Sequence, residues 1–292
     1  MAIAVAALAL LWWLAAPSDT SVPGLPEAGQ LDVPKVVRTE AEPLSDQRLP
    51  VLPVPEPQPL EPGAPRPLRG DTRVLDNGLT LILVEDHTVP RIATRIVVRA
   101  GGANDPPGQE GLAHLVEHLM FLGTTELGTS DWRAEQPLQD ELASLTEQLA
   151  HNPSDRRLQR ELADALAEAD QYLLTNEYGL ALSEIGAEGV NALTGLDTTE
   201  YVANLPTNAL LPWAVLEAER FADPVFRSFP RVHEVVELER AERTAGVAWS
   251  VSEEARAALF EGHPYGRPLG GSVDSLGRMH IDAARAFHAE WY

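Results

Sequence analysis

The residue types and spacing most capable of chemistry lie in one apolar stretch, GLAHLVEHLMFLGT, at residues 111–124. Its only ionisable side chains are His114, Glu117 and His118. On a helix with about 100° per residue these three share one face, and the two histidines have Cβ atoms about 5–6 Å apart. Two imidazoles at that spacing can bind one tetrahedral metal ion, and the glutamate can reach a water molecule on it. The apolar neighbours predict a dry pocket, which strengthens the electrostatics of such a site.

The order of these residues is the inverted zinc-peptidase pattern H-x-x-E-H. The alternative is two ordinary histidines on a core or surface helix. The pattern sits on an apolar helix directly after a glycine-rich loop, and this context favours the metal interpretation.

A catalytic zinc ion needs a third protein ligand, and the segment VHEVVELERAER at residues 232–243 supplies four glutamates. Helical periodicity places Glu239 among the valines of the apolar, inward face, whereas Glu234 and Glu237 point nearly the opposite way. Glu242 lies at the edge of that face and is the second choice. A buried carboxylate without a partner is costly, and this favours Glu239 as the ligand.

The remaining pattern predicts an α+β fold with a mixed or antiparallel sheet packed by helices. Asn77-Gly78 predicts a hairpin turn, and residues 91–100 a strand. Leucines at helical spacing predict an inserted helical hairpin at about residues 133–175, with charged outer faces and no chemistry of its own. The other expected elements are a helix at 110–122, strands at 189–195 and 199–206, and helices at 210–223, 232–243, 252–261 and 282–292.

Charge and composition exclude several function classes. The formal net charge is −22, so nucleic acid is not an expected partner, because phosphate binding needs a basic face. The chain has no cysteine, which excludes disulfides, thiolate zinc sites and a cysteine nucleophile.

The N-terminal part predicts export to the periplasm or cell envelope. Residues 3–16 form an apolar run of signal-peptide length, so residues 1–18 are expected to be a signal peptide or an N-terminal anchor. Membrane contact is expected only through this segment, if it is uncleaved. Proline-rich residues 19–68 predict an extended linker, followed by a folded domain at 69–292.

Taken together, these motifs resemble the insulinase or pitrilysin family of zinc peptidases, over about Arg73–Tyr292. LDNGLTLILVED is similar to the family's opening hairpin, and GLAHLVEHLMFLGT to its metal-binding helix. GVNALTGLDTTEY resembles its substrate-facing strand, VVELER its third-ligand helix, and HPYGRPLGG the loop that follows.

The resemblance implies a role for each matching residue. His114, His118 and Glu239 would bind one Zn²⁺ per chain, and Glu117 would be the general base of a zinc-dependent endopeptidase acting on peptides or unfolded protein segments. Asn191 and Ala192 match strand positions that hold the substrate as an added β-strand.

The sequence also departs from the family pattern. The family often carries an acid seven residues before the ligand glutamate, where this chain has Val232. The chain ends where the family continues into a last strand and a second similar domain, so the resemblance implies a fragment or a partner subunit. Two other functions stay open: a non-catalytic partner or assembly subunit, and a zinc-dependent hydrolase of a non-peptide bond.

Overall fold

A computed structural model describes residues 70–292 of the chain. The signal or anchor segment predicted at 1–18 and the linker predicted at 19–68 lie outside the described residues. The described part divides into two compact units, residues 70–90 and residues 91–292.

The first unit contains the predicted hairpin. Strand β1 (Gly70–Val74) pairs antiparallel with β2 (Thr80–Val84) in a register that joins Gly70 to Val84. The turn contains Gly78 at φ 86°, a left-handed conformation that glycine adopts without steric cost. The asparagine–glycine signal therefore predicts this turn correctly.

The second unit contains a three-stranded antiparallel sheet in the order β3-β5-β4. Its strands are β3 (Arg91–Val98), β4 (Glu188–Thr194) and β5 (Thr199–Pro206). β5 is the central strand, and within the described residues β4 has no strand paired with its second edge. The pairing of β4 with β5 is irregular between Glu188 and Asn191.

Residues 91–292 also contain nine α-helices. They are α1 (Leu112–Leu119), α2 (Trp132–His151), α3 (Arg156–Ala169), α4 (Glu177–Glu184), α5 (Leu210–Ala222), α6 (Phe229–Ala245), α7 (Val247–Leu259), α8 (Val273–Leu276) and α9 (Ile281–Trp291). Helix α1 is the central one, since it packs against α6, α9 and β4. The α+β class is confirmed. Helix α4 is an element that the sequence pattern does not predict.

The predicted helical insertion is present as α2 and α3, which pack against each other. Its outer face is charged, as expected, but its inner face is not merely solvated. Leu142, Leu145 and Leu158 belong to the same buried core as the apolar residues of α1. The insertion therefore contributes to the core that surrounds α1.

In residues 70–292 there is no helix of the length and apolar character required to cross a membrane.

Candidate metal centre

Helix α1 is buried along its whole length, which explains the apolar composition of its sequence. All eight residues from Leu112 to Leu119 are buried. It begins after Gly111, which has φ 98° and packs against Gly271. A Cβ atom at Gly111 would lie 2.9 Å from the Gly271 nitrogen, so both the backbone conformation and the space require glycine.

His114 and His118 lie one turn apart on α1, and their rings meet edge to face with centroids 4.7 Å apart. The two Nε2 atoms are 3.2 Å apart. Oε2 of Glu239, from α6, lies 3.5 Å from Nε2 of His114 and 3.7 Å from Nε2 of His118. These three side chains form the only group within residues 70–292 that has the donor types and spacing to hold a metal ion.

Burial keeps both imidazoles uncharged. It lowers the pKa of His118 to about 4, with a further lowering by Arg243. It also lowers the pKa of His114 well below its usual value, and the neighbouring His118 and Arg243 act in the same direction. Burial raises the pKa of Glu239, although Arg243 opposes that shift. Two neutral imidazole nitrogens and a carboxylate oxygen thus converge on one point.

Such a convergence fits a cation. A neutral imidazole with its proton on Nδ1 presents only a lone pair at Nε2, and a carboxylate oxygen presents only lone pairs. Three acceptor atoms facing one another repel unless a proton or a cation lies between them, and the lowered imidazole pKa disfavours the proton. Two histidines and a carboxylate are also a donor set of catalytic zinc sites.

Glu117 lies on α1 between the two histidines and is 8% exposed. Burial raises its pKa to about 7, while a hydrogen bond from Thr194 lowers it and the charge of Glu239 raises it. The Thr194 hydroxyl, at the end of β4, donates this bond to Oε2 of Glu117. Glu117 is therefore a carboxylate held in a fixed orientation with a pKa near neutrality, as a general base requires.

Arg243 lies one turn after Glu239 on α6. Its Nη2 donates to Oε2 of Glu239 at 3.1 Å, the same oxygen that faces both imidazoles. Its guanidinium also lies 5.8 Å from the ring centre of Trp249. Arg243 places a fixed positive charge beside the three candidate ligands.

Asn191 and Ala192 lie on β4, three and two residues before Thr194. Ala192 is buried in the core, and the side-chain oxygen of Asn191 is buried without a hydrogen-bond partner among the described residues. Because β4 is an edge strand of the described sheet, its backbone can pair with an added strand.

The other glutamates of α6 are less suited than Glu239 to be the third ligand, because they are more exposed. Glu234 and Glu242 are exposed and Glu237 is half-buried, whereas Glu239 is 7% exposed.

Val232 is buried in the core, two turns before Glu239. Nδ1 of His114 is buried and has no hydrogen-bond partner in the described part of the chain.

Sequence reasoning missed three residues that contact this centre or its helix: Thr194, Arg243 and Asp105. Thr194 is two residues from Ala192 on a strand, so strand periodicity places both on the same face. Arg243 is four residues from Glu239, a spacing at which helical side chains meet. Asp105 accepts hydrogen bonds from the first turn of α1, and no periodicity signals a contact from a loop.

The fold and the site together define an α+β domain with a buried candidate metal centre of two histidines and a glutamate. The family model described as insulinase, peptidase family M16, matches residues 80–134, which include the whole of α1. Coenzyme PQQ synthesis protein F of Pseudomonas aeruginosa is 27% identical over 230 residues, which are 77% of this chain and 24% of that protein.

Solved structures show the same fold. A protease from Helicobacter pylori superimposes with a TM-score of 0.56 at 20% identity, over 76% of this chain and 43% of that one. Pitrilysin superimposes with a TM-score of 0.54 at 19% identity, over 77% of this chain and 20% of that one. By sequence, the chain is therefore similar to the insulinase family, most directly over residues 80–134. It spans about a quarter of the curated relative and less than half of each solved chain.

Proposed function

We propose that this chain binds one zinc ion through His114, His118 and Glu239 and acts as a zinc-dependent endopeptidase. The observation that carries the proposal is the convergence of two Nε2 atoms, 3.2 Å apart, on one buried carboxylate oxygen. The description of the matched family, a peptidase family, supports the same reaction class.

A zinc ion held there would polarise a peptide carbonyl and acidify a water molecule. The chain's own residues transfer the proton and orient the group that carries it. Glu117 accepts the proton of the attacking water and returns it to the leaving nitrogen. Thr194 holds the Glu117 carboxylate through its hydroxyl, so only one oxygen is left free for that exchange. Burial raises the pKa of Glu117 to about 7 in the metal-free protein, and a cation at the neighbouring site would lower it and favour the carboxylate that accepts the proton.

The proposed substrate class is supported by the edge of β4 that pairs with no strand within residues 70–292. We propose that Asn191 and Ala192 align a peptide or an unfolded segment as an added strand beside the centre, since main-chain hydrogen bonds bind extended peptides with loose sequence preference. An added strand is a property of polypeptides, which favours them over a non-peptide substrate.

The setting of the reaction is also a proposal. Because the matched relatives are longer, we propose that a second homologous domain or a partner subunit completes the working enzyme. The apolar run at residues 3–16 supports export to the periplasm or cell envelope, with membrane contact only through that run.

A specific observation favours a second candidate, a non-catalytic partner or assembly subunit. Nδ1 of His114 has no hydrogen-bond partner among the described residues, and the position two turns before Glu239 is the apolar Val232. Metal-binding histidines usually donate their second ring nitrogen to an acceptor that orients them. A histidine without this acceptor favours a weaker metal site.

Glu117→Gln and His118→Ala test the first candidate against the second. Elemental analysis of the purified full-length protein is expected to find one zinc per chain in the parent and in Glu117→Gln, and none in His118→Ala. Peptide hydrolysis is expected to fall at least about 100-fold in both variants. Turnover retained by Glu117→Gln would refute the base assignment, and a parent without zinc at micromolar metal would favour the non-catalytic subunit.

A further inference from the structure

Asp105 is a buried carboxylate in the loop that precedes α1. It is 3% exposed. Oδ2 accepts a hydrogen bond from the backbone N–H of Gly111 at 2.7 Å, and Oδ1 accepts one from that of Ala113 at 2.8 Å. Both oxygens of one side chain therefore bind the first turn of the helix that carries His114.

Helix α1 depends on this outside acceptor because it has no cap of its own. The residue at its N-cap position is Gly111, which has no side chain. The first N–H groups of a helix have no partner within the helix and need an acceptor, above all where the helix end is buried. Asp105 provides that acceptor from six residues upstream.

Asp105 is itself fixed by a second segment of the chain. Nη1 of Arg267 donates to the backbone carbonyl of Asp105 at 2.9 Å. From the same region, the Ser275 hydroxyl donates to the carbonyl of Glu110 at 2.8 Å. The start of α1 is thus held through its N–H groups by Asp105 and through the preceding carbonyl by Ser275.

We propose that Asp105 is a positioning residue for the metal centre. The two histidines are on α1 and Glu239 is on α6, so the three donor atoms converge only if α1 keeps its axial position and rotation relative to α6. Asp105 fixes both by holding two N–H groups at the helix start. The consequence for metal binding rests on the proposed function, whereas the effect on α1 does not.

Asp155 offers a matched control within the same chain. Its Oδ1 accepts hydrogen bonds from the N–H groups of Arg157 at 2.8 Å and Leu158 at 3.2 Å, at the start of α3. Helix α3 belongs to the inserted hairpin and contributes no metal-ligand candidate. Loss of this cap disturbs a helix start without moving the histidines.

The experiment compares Asp105→Ala and Asp105→Asn with Asp155→Ala in the full-length protein. Cobalt(II) titration followed by visible absorption reports both affinity and ligand geometry. Asp105→Ala is expected to bind cobalt at least about 10-fold more weakly with an altered spectrum, in the range seen when groups that orient ligands are lost. Asp105→Asn, which keeps one acceptor oxygen, is expected to be intermediate, and Asp155→Ala to match the parent.

Hydrogen exchange of the metal-free proteins makes the test independent of the metal. Peptides covering residues 112–119 are expected to exchange faster in both Asp105 variants and unchanged in Asp155→Ala. The proposal would be overturned if α1 exchanged at the parental rate in the Asp105 variants. It would also be overturned if Asp155→Ala weakened cobalt binding as much as Asp105→Ala does. A parent that binds no cobalt refutes the proposed function instead, and the exchange data then still decide the role of Asp105. If Asp105→Ala does not fold, Asp105→Asn supplies both readouts.

Discussion

The Thr194 hydroxyl donates a hydrogen bond to Oε2 of Glu117, so the edge strand β4 orients a carboxylate on helix α1. The two residues are 77 positions apart in the chain. The strand proposed to align the substrate therefore also holds the proposed base, and the position of one depends on the other.

Thr194→Val is expected to lower kcat about 10- to 100-fold, because a hydrogen bond to a charged group contributes about 1.5–3 kcal/mol. Valine has nearly the same shape and lacks only the hydroxyl. Steady-state kinetics checks the loss, with zinc content unchanged. Thr194→Ser restores the donor and is expected to stay within a few fold of the parent. A serine variant as slow as the valine variant would contradict the assigned role of the hydroxyl.

Arg243→Gln is expected to tighten zinc binding by at least about 10-fold. Even two unit charges about 4 Å apart interact by about 4 kcal/mol at an effective dielectric constant of 20, and zinc carries two charges. The hydrogen bond from Arg243 to Glu239 contributes less, about 1.5–3 kcal/mol, so removal of the repelling charge outweighs its loss. Competition with a chelator of known affinity measures the change. Arg243→Lys keeps the charge and is expected to match the parent; equal tightening in both variants would show that charge is not the cause.

Local periodicity predicts the elements of the site but not its supporting contacts. The apolar pattern around His114 and His118 predicts a buried helix, and the valines of α6 distinguish Glu239 from its neighbouring glutamates. Both inferences need only the geometry of one helix. The bonds of Thr194 and Asp105 join different elements, so they depend on tertiary packing that periodicity within one element does not report.

Helix α4 shows why another part of the fold escapes prediction. Its N-cap residue, Asn176, has φ 58°, and its side chain accepts no hydrogen bond from the first turn. The capping interaction that usually marks a helix start is therefore not made. The segment Glu177–Glu184 is also short. Its Tyr178 is buried and donates a hydrogen bond to Glu217 at 2.6 Å. This helix is stabilised by tertiary contacts, because isolated helices of such length are marginal.

We expect the stability of the metal-free protein to depend on pH through the carboxyl group of Asp105. Burial raises its pKa from 3.8 to about 7, although the N–H groups of Ala113 and Gly111 oppose the shift. A carboxyl with a raised pKa in the folded state binds its proton more tightly there than in the unfolded state. Its contribution to stability is therefore full below about pH 4 and is lost as pH rises to about 7.

The comparison with Asp105→Asn isolates this effect, because the amide does not titrate. The difference in unfolding free energy, parent minus variant, is expected to fall between pH 4 and 7 by at most about 1.4 kcal/mol per unit, and to level off above. Urea unfolding at several pH values measures it. A difference that is constant or rises with pH would contradict the raised pKa.

The buried ion pair between Glu135 and Arg227 joins the inserted hairpin to the rest of the domain. Both side chains are 1% exposed, and Nε of Arg227 donates to Oε1 of Glu135 at 2.7 Å. Nη1 of Arg227 also donates to the carbonyls of Leu122 and Leu127, in the loop after α1. The pair thus joins α2 to the segment that follows α1.

Arg227→Met is expected to destabilise the protein by about 3–5 kcal/mol, because it leaves the buried Glu135 carboxylate without its positive partner and with only the hydrogen bond from the Gln139 amide. The double variant Glu135→Leu with Arg227→Met removes both charges and is expected to recover part of that loss. Chemical denaturation measures both. Arg157→Met, in the exposed pair with Glu161, is the control and is expected to change stability little. A double variant less stable than Arg227→Met alone would show that the backbone bonds of Arg227, rather than the buried charge of Glu135, dominate at this junction.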